Sequence, residues 1–321
     1  MSGFWQQQRV VVTGGAGFLG RVVVGKLNAL GAQVHVPRSA QFDLTVPGVA
    51  NALLTEIQPT LVIHLAARVG GIGYNQAQPA PLYLSNLLMG THIIEAARAT
   101  PSVTKTVLLG TVCSYPKFTP VPFREASLWD GYPEETNAPY GIAKKAHLIH
   151  AQVNAAQYGQ RFAYLIPTNL YGPGDKFHPS VSHVIPARIK RCVEAKDAGD
   201  PTIEVWGTGT ASREYLYVDD AAEAIVLAAE HYDGIDPINL GTNKEVTIRE
   251  TVELIAELVG FDGELVWDPT KPDGQPRRRV DPSAALAAFG WKAAMPFRQG
   301  LRNTIDWYID HRDEAERDPF A

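Results

Sequence analysis

The chain is poor in several features that would commit it to a particular class. Its 321 residues include only two cysteines, Cys113 and Cys192, too few for a disulfide framework. No apolar run approaches the length of a membrane span, and polar Gln6-Gln7-Gln8-Arg9 leads straight into the first apolar run, which leaves no room for a signal-peptide core. A soluble, cytoplasmic protein is the expectation. Positive charge is not in excess: the formal net charge is -5 and the pI is near 6.0. Without a basic footprint nucleic acid is not an expected partner, and local basic clusters must serve small anions. Internal repeats and low-complexity tracts are also missing, and a hydrophobic content of 45% is ample for a core in one large or two modest domains. No metal site is expected.

What is present begins with Thr13-Gly14-Gly15-Ala16-Gly17-Phe18-Leu19-Gly20, directly after Val10-Val11-Val12 and before a helical apolar spacing. Gly15, Gly17 and Gly20 fit G-x-G-x-x-G, in which the glycines serve a tight turn, close backbone approach to a pyrophosphate, and close packing of helix on strand. Unpaired N–H groups at the start of the helix would face the phosphates. Phe18, Leu19, Val22, Leu27 and Leu30 predict the buried stripe of that helix, and Gly31 its C-terminal cap. Past the second strand, an NAD-specific site would carry an Asp or Glu for the ribose 2′-hydroxyl. This chain has Pro37-Arg38-Ser39 there, and a guanidinium with a hydroxyl suits a 2′-phosphate. The pattern favours NADP(H) over NAD(H).

Apolar runs near 9–13, 33–37, 61–65, 106–110 and 162–167 alternate with helical patterns near 18–30, 48–57, 82–99 and 140–157. That is the rhythm of a Rossmann-like, doubly wound parallel α/β sheet. After Tyr171-Gly172-Pro173-Gly174 the rhythm breaks. Residues 1–173, with 215–243 returning to them, read as the dinucleotide-binding domain. Residues 174–214 and 244–321 read as a smaller, discontinuous substrate-binding domain.

Tyr140 and Lys144 stand four apart at the start of a predicted helix that Pro139 opens and Thr136 or Asn137 would cap. The spacing puts both side chains on one face, and an ammonium near a phenol favours the phenolate, which predicts Tyr140 as acid or base and Lys144 as a ligand of the nicotinamide ribose. The preceding strand ends in Gly110-Thr111-Val112-Cys113. Thr111 would donate to a substrate carbonyl at a strand tip, where open α/β sheets hold their ligands.

Taken together the glycine loop, Thr111, Tyr140 and Lys144 resemble the extended short-chain dehydrogenase/reductases that act on nucleotide sugars, and the similarity covers essentially the whole chain. It implies that Gly14, Asp43, Leu44, Leu65, Ala66, Ala67, Leu109, Gly110, Pro167, Asn169 and Leu170 line the cofactor. Longer motifs are similar to epimerase-reductases of GDP-4-keto-6-deoxy-mannose: Val69-Gly70-Gly71-Ile72, Cys113-Ser114-Tyr115-Pro116-Lys117, Phe177-His178-Pro179-Ser180, Ser182-His183-Val184-Ile185-Pro186, Val205-Trp206-Gly207-Thr208-Gly209 and Lys271-Pro272-Asp273-Gly274. The resemblance implies that Cys113 is the base and His183 the acid in inversion of C3 and C5, with His178 the alternative acid. It also places His183 beside the cofactor and makes the protein a homodimer through the helices near 82–99 and 140–157. Arg191, Arg213, Trp206 and Asp273 would hold the nucleotide diphosphate and sugar, with Lys271 and Arg277 as further candidates. Cys192 fits a helix face with Ile185 and Ile189 and reads as core.

The chain departs from the family pattern at a few positions. It has Thr111 where Ser is usual, Val112 and Ser114 around the cysteine, Glu135 for Pro, and Gly141 for Ala. These changes bear on substrate identity more than on reaction type. Another GDP-4-keto sugar, such as a 6-deoxy-heptose or the colitose precursor, is the alternative substrate. A catalytically silent NADP-binding regulator is the alternative class, although it would have no need of Thr111, Tyr140 and Lys144.

Overall fold

The computed structural model describes residues 3–179, 181–271 and 276–317. In chain order the strands are β1 (Arg9–Thr13), β2 (Gln33–His35), β3 (Leu61–His64), β4 (Lys105–Leu109), β5 (Phe162–Pro167), β6 (Asn169–Tyr171), β7 (Thr202–Trp206), β8 (Ser212–Arg213), β9 (Tyr215–Tyr217), β10 (Pro237–Leu240), β11 (Val246–Thr247) and β12 (Glu264–Asp268). The helices are α1 (Phe18–Ala29), α2 (Val49–Ile57), α3 (Ile72–Ala77), α4 (Pro79–Ala99), α5 (Ala138–Tyr158), α6 (Val184–Ala198), α7 (Val218–His231), α8 (Ile248–Val259), α9 (Ser283–Phe289), α10 (Phe297–Asp310) and α11 (Arg312–Ala315).

Strands as apolar as Val10-Val11-Val12 need cover on both faces, which a parallel sheet between two helix layers supplies. Six strands form that sheet in the order β10-β5-β4-β3-β1-β2, every pair parallel. Alternation along β1 sends Val10 and Val12 into a core with α1 and α7, while Val11 joins Leu53, Leu54 and Ile93 of α2 and α4 on the other face. A separate core joins Phe177, Ile189, Val205, Ile255 and Tyr308 around α6, α8 and α10. Cys192 is buried there with Ile185 and Ile189, as its spacing predicts, and burial pushes its thiol up to about 11. Helix α9 and Trp291 pack into the core of the large sheet instead.

Two local expectations need correction. Leu19, Val23 and Leu27 are the buried residues of the α1 stripe, whereas Phe18 and Val22 are half-buried and Leu30 is exposed. The chain turns away at Leu30 because Gly31 takes a φ of +86°, a left-handed conformation that glycine adopts without strain. At α5 neither Thr136 nor Asn137 caps through its side chain. The Glu134 carboxylate instead braces the turn ahead of the helix, accepting from the Thr136 N–H (3.2 Å) and hydroxyl (2.7 Å) and from the Asn137 N–H (3.2 Å). Among the described residues, no helix is long and apolar enough to cross a membrane.

Candidate active site

The glycine loop leaves β1 under steric conditions that only glycine meets. Gly14 has a φ of +72°, and a Cβ on it would lie 2.7 Å from the Ala66 nitrogen. A Cβ on Gly20 would lie 2.1 Å from the Gly14 carbonyl oxygen, so α1 can approach β1 only without one. Gly17 caps α1 with no side chain, and Ala16 and Gly17 are exposed. The first N–H groups of the helix therefore point out over an open backbone cradle, which fits a dinucleotide pyrophosphate.

The flanking strand ends complete this trough. Leu65 donates its N–H to the Thr13 carbonyl at 3.0 Å, which sets the half-buried Leu65 and Ala66 and the exposed Ala67 beside the loop. Arg38 and Ser39 follow β2 and are exposed; Arg38 makes no side-chain hydrogen bond or ion pair among the described residues. Asp43 is exposed, and its carboxylate accepts from the Thr45 hydroxyl (2.7 Å) and N–H (2.9 Å), which holds it below its ordinary value. Leu44 is buried, with its carbonyl against His92. Leu109 ends β4 and Pro167 ends β5. Asn169 donates from its amide to the Glu214 carbonyl at 3.0 Å, next to half-buried Leu170.

The chemical groups lie where β4 meets α5. Thr111 is buried, and its Oγ1 accepts the Cys113 N–H at 3.2 Å, which leaves the hydroxyl proton to donate. Ser114 donates to the Gly141 carbonyl at 3.0 Å, so the 3-10 turn Val112–Ser114 sits directly on the first turn of α5. Gly110 passes so close to the Tyr164 ring that a Cβ would lie 2.5 Å from it, and Tyr164 in turn donates to the Lys144 carbonyl at 2.6 Å. Lys144 is buried with its ammonium 5.8 Å from the centre of the Tyr140 ring, as the spacing predicts.

The expected lowering of the Tyr140 phenol is not what this arrangement produces. Burial, and then the neighbouring Cys113, push it up, because desolvation of a phenolate outweighs an ammonium across the ring. Burial pushes Lys144 down to about 8. Beneath it, burial together with Lys144 pulls both His64 and His147 down, the latter to about 3. His64 meets the Thr13 hydroxyl at 2.7 Å, and His147 meets the Leu87 carbonyl of α4 at 3.1 Å.

His183 is the N-cap residue of α6 but makes no side-chain capping bond. It is accessible, yet surrounded by enough protein that burial, and then Lys176, hold its imidazole below the ordinary value; such a group lines a cleft. A Cβ on Gly71 would lie 2.6 Å from the Ser182 carbonyl, so the Val69–Gly71 segment abuts the histidine loop. His178 is half-buried and its carbonyl accepts the N–H groups of Val181 and Ser182; Ser180 lies outside the described residues.

The residues expected at the nucleotide are less uniformly placed. Arg191 is exposed on α6, Arg213 is half-buried in β8, and Trp206 is 60% exposed at the end of β7 with the Lys271 ammonium 5.5 Å from its ring. Asp273 lies outside the described residues. Arg277 is exposed and forks onto both oxygens of Glu245, which also accepts from Ser212, the neighbour of Arg213. Arg278, which sequence alone does not distinguish from Arg277, is buried and reaches to 3.7 Å from Cys113 Sγ.

Comparison with known proteins gives the family. The model of the NAD dependent epimerase/dehydratase family matches residues 10–241. Probable GDP-L-fucose synthase 1 of Oryza sativa subsp. japonica is 42% identical over 310 residues, covering 96% of this chain and 94% of the rice protein. The GDP-L-fucose synthase of Escherichia coli (strain K12) is 38% identical over 317 residues, covering 96% and 98%. Among solved structures, a GDP-L-fucose synthetase from Naegleria fowleri bound to NADP superposes with a TM-score of 0.86 at 27% identity, covering 97% of each chain.

Proposed function

Because the chain belongs to the NAD dependent epimerase/dehydratase family, we propose that it is an NADP-dependent oxidoreductase with epimerase activity that converts GDP-4-keto-6-deoxy-D-mannose to GDP-L-fucose. The observation that carries this reading is the packing of the Cys113 turn on the first turn of α5, which carries Tyr140, together with the near-full-length likeness to GDP-L-fucose synthases. A thiol suited to removing carbon-bound protons and a phenol suited to protonating an alkoxide serve two successive reactions at one sugar.

When bound, NADPH supplies the hydride that reduces C4. The residues of the chain perform every other task. Thr111 donates a hydrogen bond to the 4-keto oxygen, which acidifies the C–H bonds at C3 and C5. Cys113 removes those protons on one face and His183 returns protons on the other. Tyr140 then protonates the C4 oxygen, while Lys144 orients the nicotinamide ribose. The remaining cofactor contacts are those of the glycine loop, 14–20, with the strand ends at Asp43, Leu44, Leu65, Ala66, Ala67, Leu109, Gly110, Pro167, Asn169 and Leu170. The accessible guanidinium of Arg38, with Ser39, supports NADP over NAD. Arg191, Arg213, Trp206 and Lys271, with Asp273, supply the GDP side from the lobe of residues 174–214 and 244–321. A cytoplasmic homodimer joined through α4 and α5 belongs to the same reading, supported by Leu84, Ile149 and Val153, all apolar and exposed.

The test is turnover in deuterated buffer with NADPH and a panel of GDP-4-keto sugars, with products read by NMR. The expected product is GDP-L-fucose with deuterium at both C3 and C5. Active enzyme that gives a reduced sugar without deuterium at either carbon removes the epimerase assignment. Preferred turnover of a heptose or colitose precursor would instead redirect the substrate.

A further inference from the structure

Three consecutive arginines, Arg277, Arg278 and Arg279, have different fates in the fold. Arg277 forks onto Glu245, and Arg279 reaches Glu245 at 3.6 Å and the Asn243 side chain at 3.1 Å. Arg278 turns inward, is 8% exposed, and directs Nη1 to 3.7 Å from Cys113 Sγ. Its backbone has little freedom to move. The Pro276 carbonyl accepts from Ser212, the Arg279 carbonyl accepts from Phe123, and Asp281 donates back to the Phe123 carbonyl. Val280 donates to the buried Glu214 carboxylate at 2.8 Å. This anchoring holds the guanidinium beside the Cys113 sulfur.

We propose that Arg278 is a further catalytic residue, whose guanidinium contacts Cys113 Sγ and stabilises it as the thiolate that takes the proton from the sugar. This rests on Cys113 being the epimerising base. A guanidinium stays charged at any working pH, so it can favour a thiolate without competing for the proton. The thiolate accepts the proton from C3 or C5 and becomes a thiol, and the C–H electron pair passes into the enolate of the 4-keto group. His183 then gives its proton to the opposite face of the same carbon. Solvent restores both groups, and the sugar is neither oxidised nor reduced in this half of the reaction.

The test is the rate at which iodoacetamide alkylates Cys113 at neutral pH, read by peptide mass spectrometry so that Cys192 is scored separately. Arg278→Gln is expected to slow alkylation roughly tenfold and deuterium exchange at C3 and C5 in parallel, while Arg278→Lys keeps most of both. Unchanged alkylation in Arg278→Gln, or a lysine variant as slow as the glutamine one, overturns the proposal. A second measurement needs no arginine variant: the ultraviolet difference between wild type and Cys113→Ser should contain thiolate absorbance at neutral pH, and its absence also overturns the proposal. Should Cys113→Ser retain full exchange at C3 and C5, the assignment of the base itself fails, an outcome separate from the role of the arginine.

Discussion

Gly141 sets how closely the cysteine turn approaches the helix that carries Tyr140. A Cβ there would lie 2.5 Å from the Cys113 carbonyl oxygen and 3.2 Å from the Ser114 Cα, both backbone atoms that cannot rotate aside. Gly141→Ala is therefore expected to push the turn outward, costing about 1–3 kcal/mol in stability. Exchange at C3 and C5 should fall more than NADPH binding does. Thermal unfolding beside a deuterium wash-in assay separates the two effects; equal losses of exchange and cofactor affinity would count against a local displacement. At this scale much of the site was readable. The glycines and the Tyr140–Lys144 pair declare themselves because each chemistry is local in sequence. Arg278 does not, because its partner is 165 positions away and its neighbours are chemically identical to it. The direction in which the Tyr140 phenol moves was also beyond reach, since it depends on burial.

Among the elements, α4 and α5 do more than cover the sheet. Between them Glu95 accepts from His150 at 2.7 Å and from Asn154 at 2.9 Å, and His147 packs so tightly on Gly90 that a Cβ there would lie 2.1 Å from its ring. Ile149 and Val153, one turn apart on α5, are exposed at 45% and 52%, an apolar stripe that suits a second copy of the same pair. Ile149→Asp with Val153→Asp is expected to give a monomer by light scattering with far-ultraviolet circular dichroism unchanged. A dimer that survives both charges would locate the contact elsewhere. Periodicity finds these helices because they are long, yet it starts α4 at 82 and α5 at 140. Pro79 and Pro139 explain the difference: proline fits the first turn, where its missing N–H costs nothing, so each helix begins earlier than its apolar pattern.

Across the molecule, Glu214 ties together segments far apart in the chain. Fully buried, its carboxylate accepts from Thr242, Asn243 and Val280 while its carbonyl receives Asn169. Burial outweighs these donors and pushes its carboxyl up to about 7. An acid raised in the folded state binds more protons there than in the unfolded chain, so its contribution to stability declines as pH rises from its ordinary value near 4.5 through about 7. Glu214→Gln is expected to flatten that part of the stability profile, followed by urea midpoints across the window; an unaltered slope would show that another group carries it. No sequence pattern announces such a residue, because its partners come from three separate segments. The most general consequence belongs to α5, which presents Tyr140 and Lys144 to the site, His147 to α4, and Ile149 with Val153 to the outside. Each residue added to or removed from a helix turns everything beyond it by about 100°. A single-codon deletion between Lys144 and Ile149 would therefore turn the exposed apolar stripe out of register with Tyr140 and Lys144 in one step, where a substitution would leave the two faces aligned.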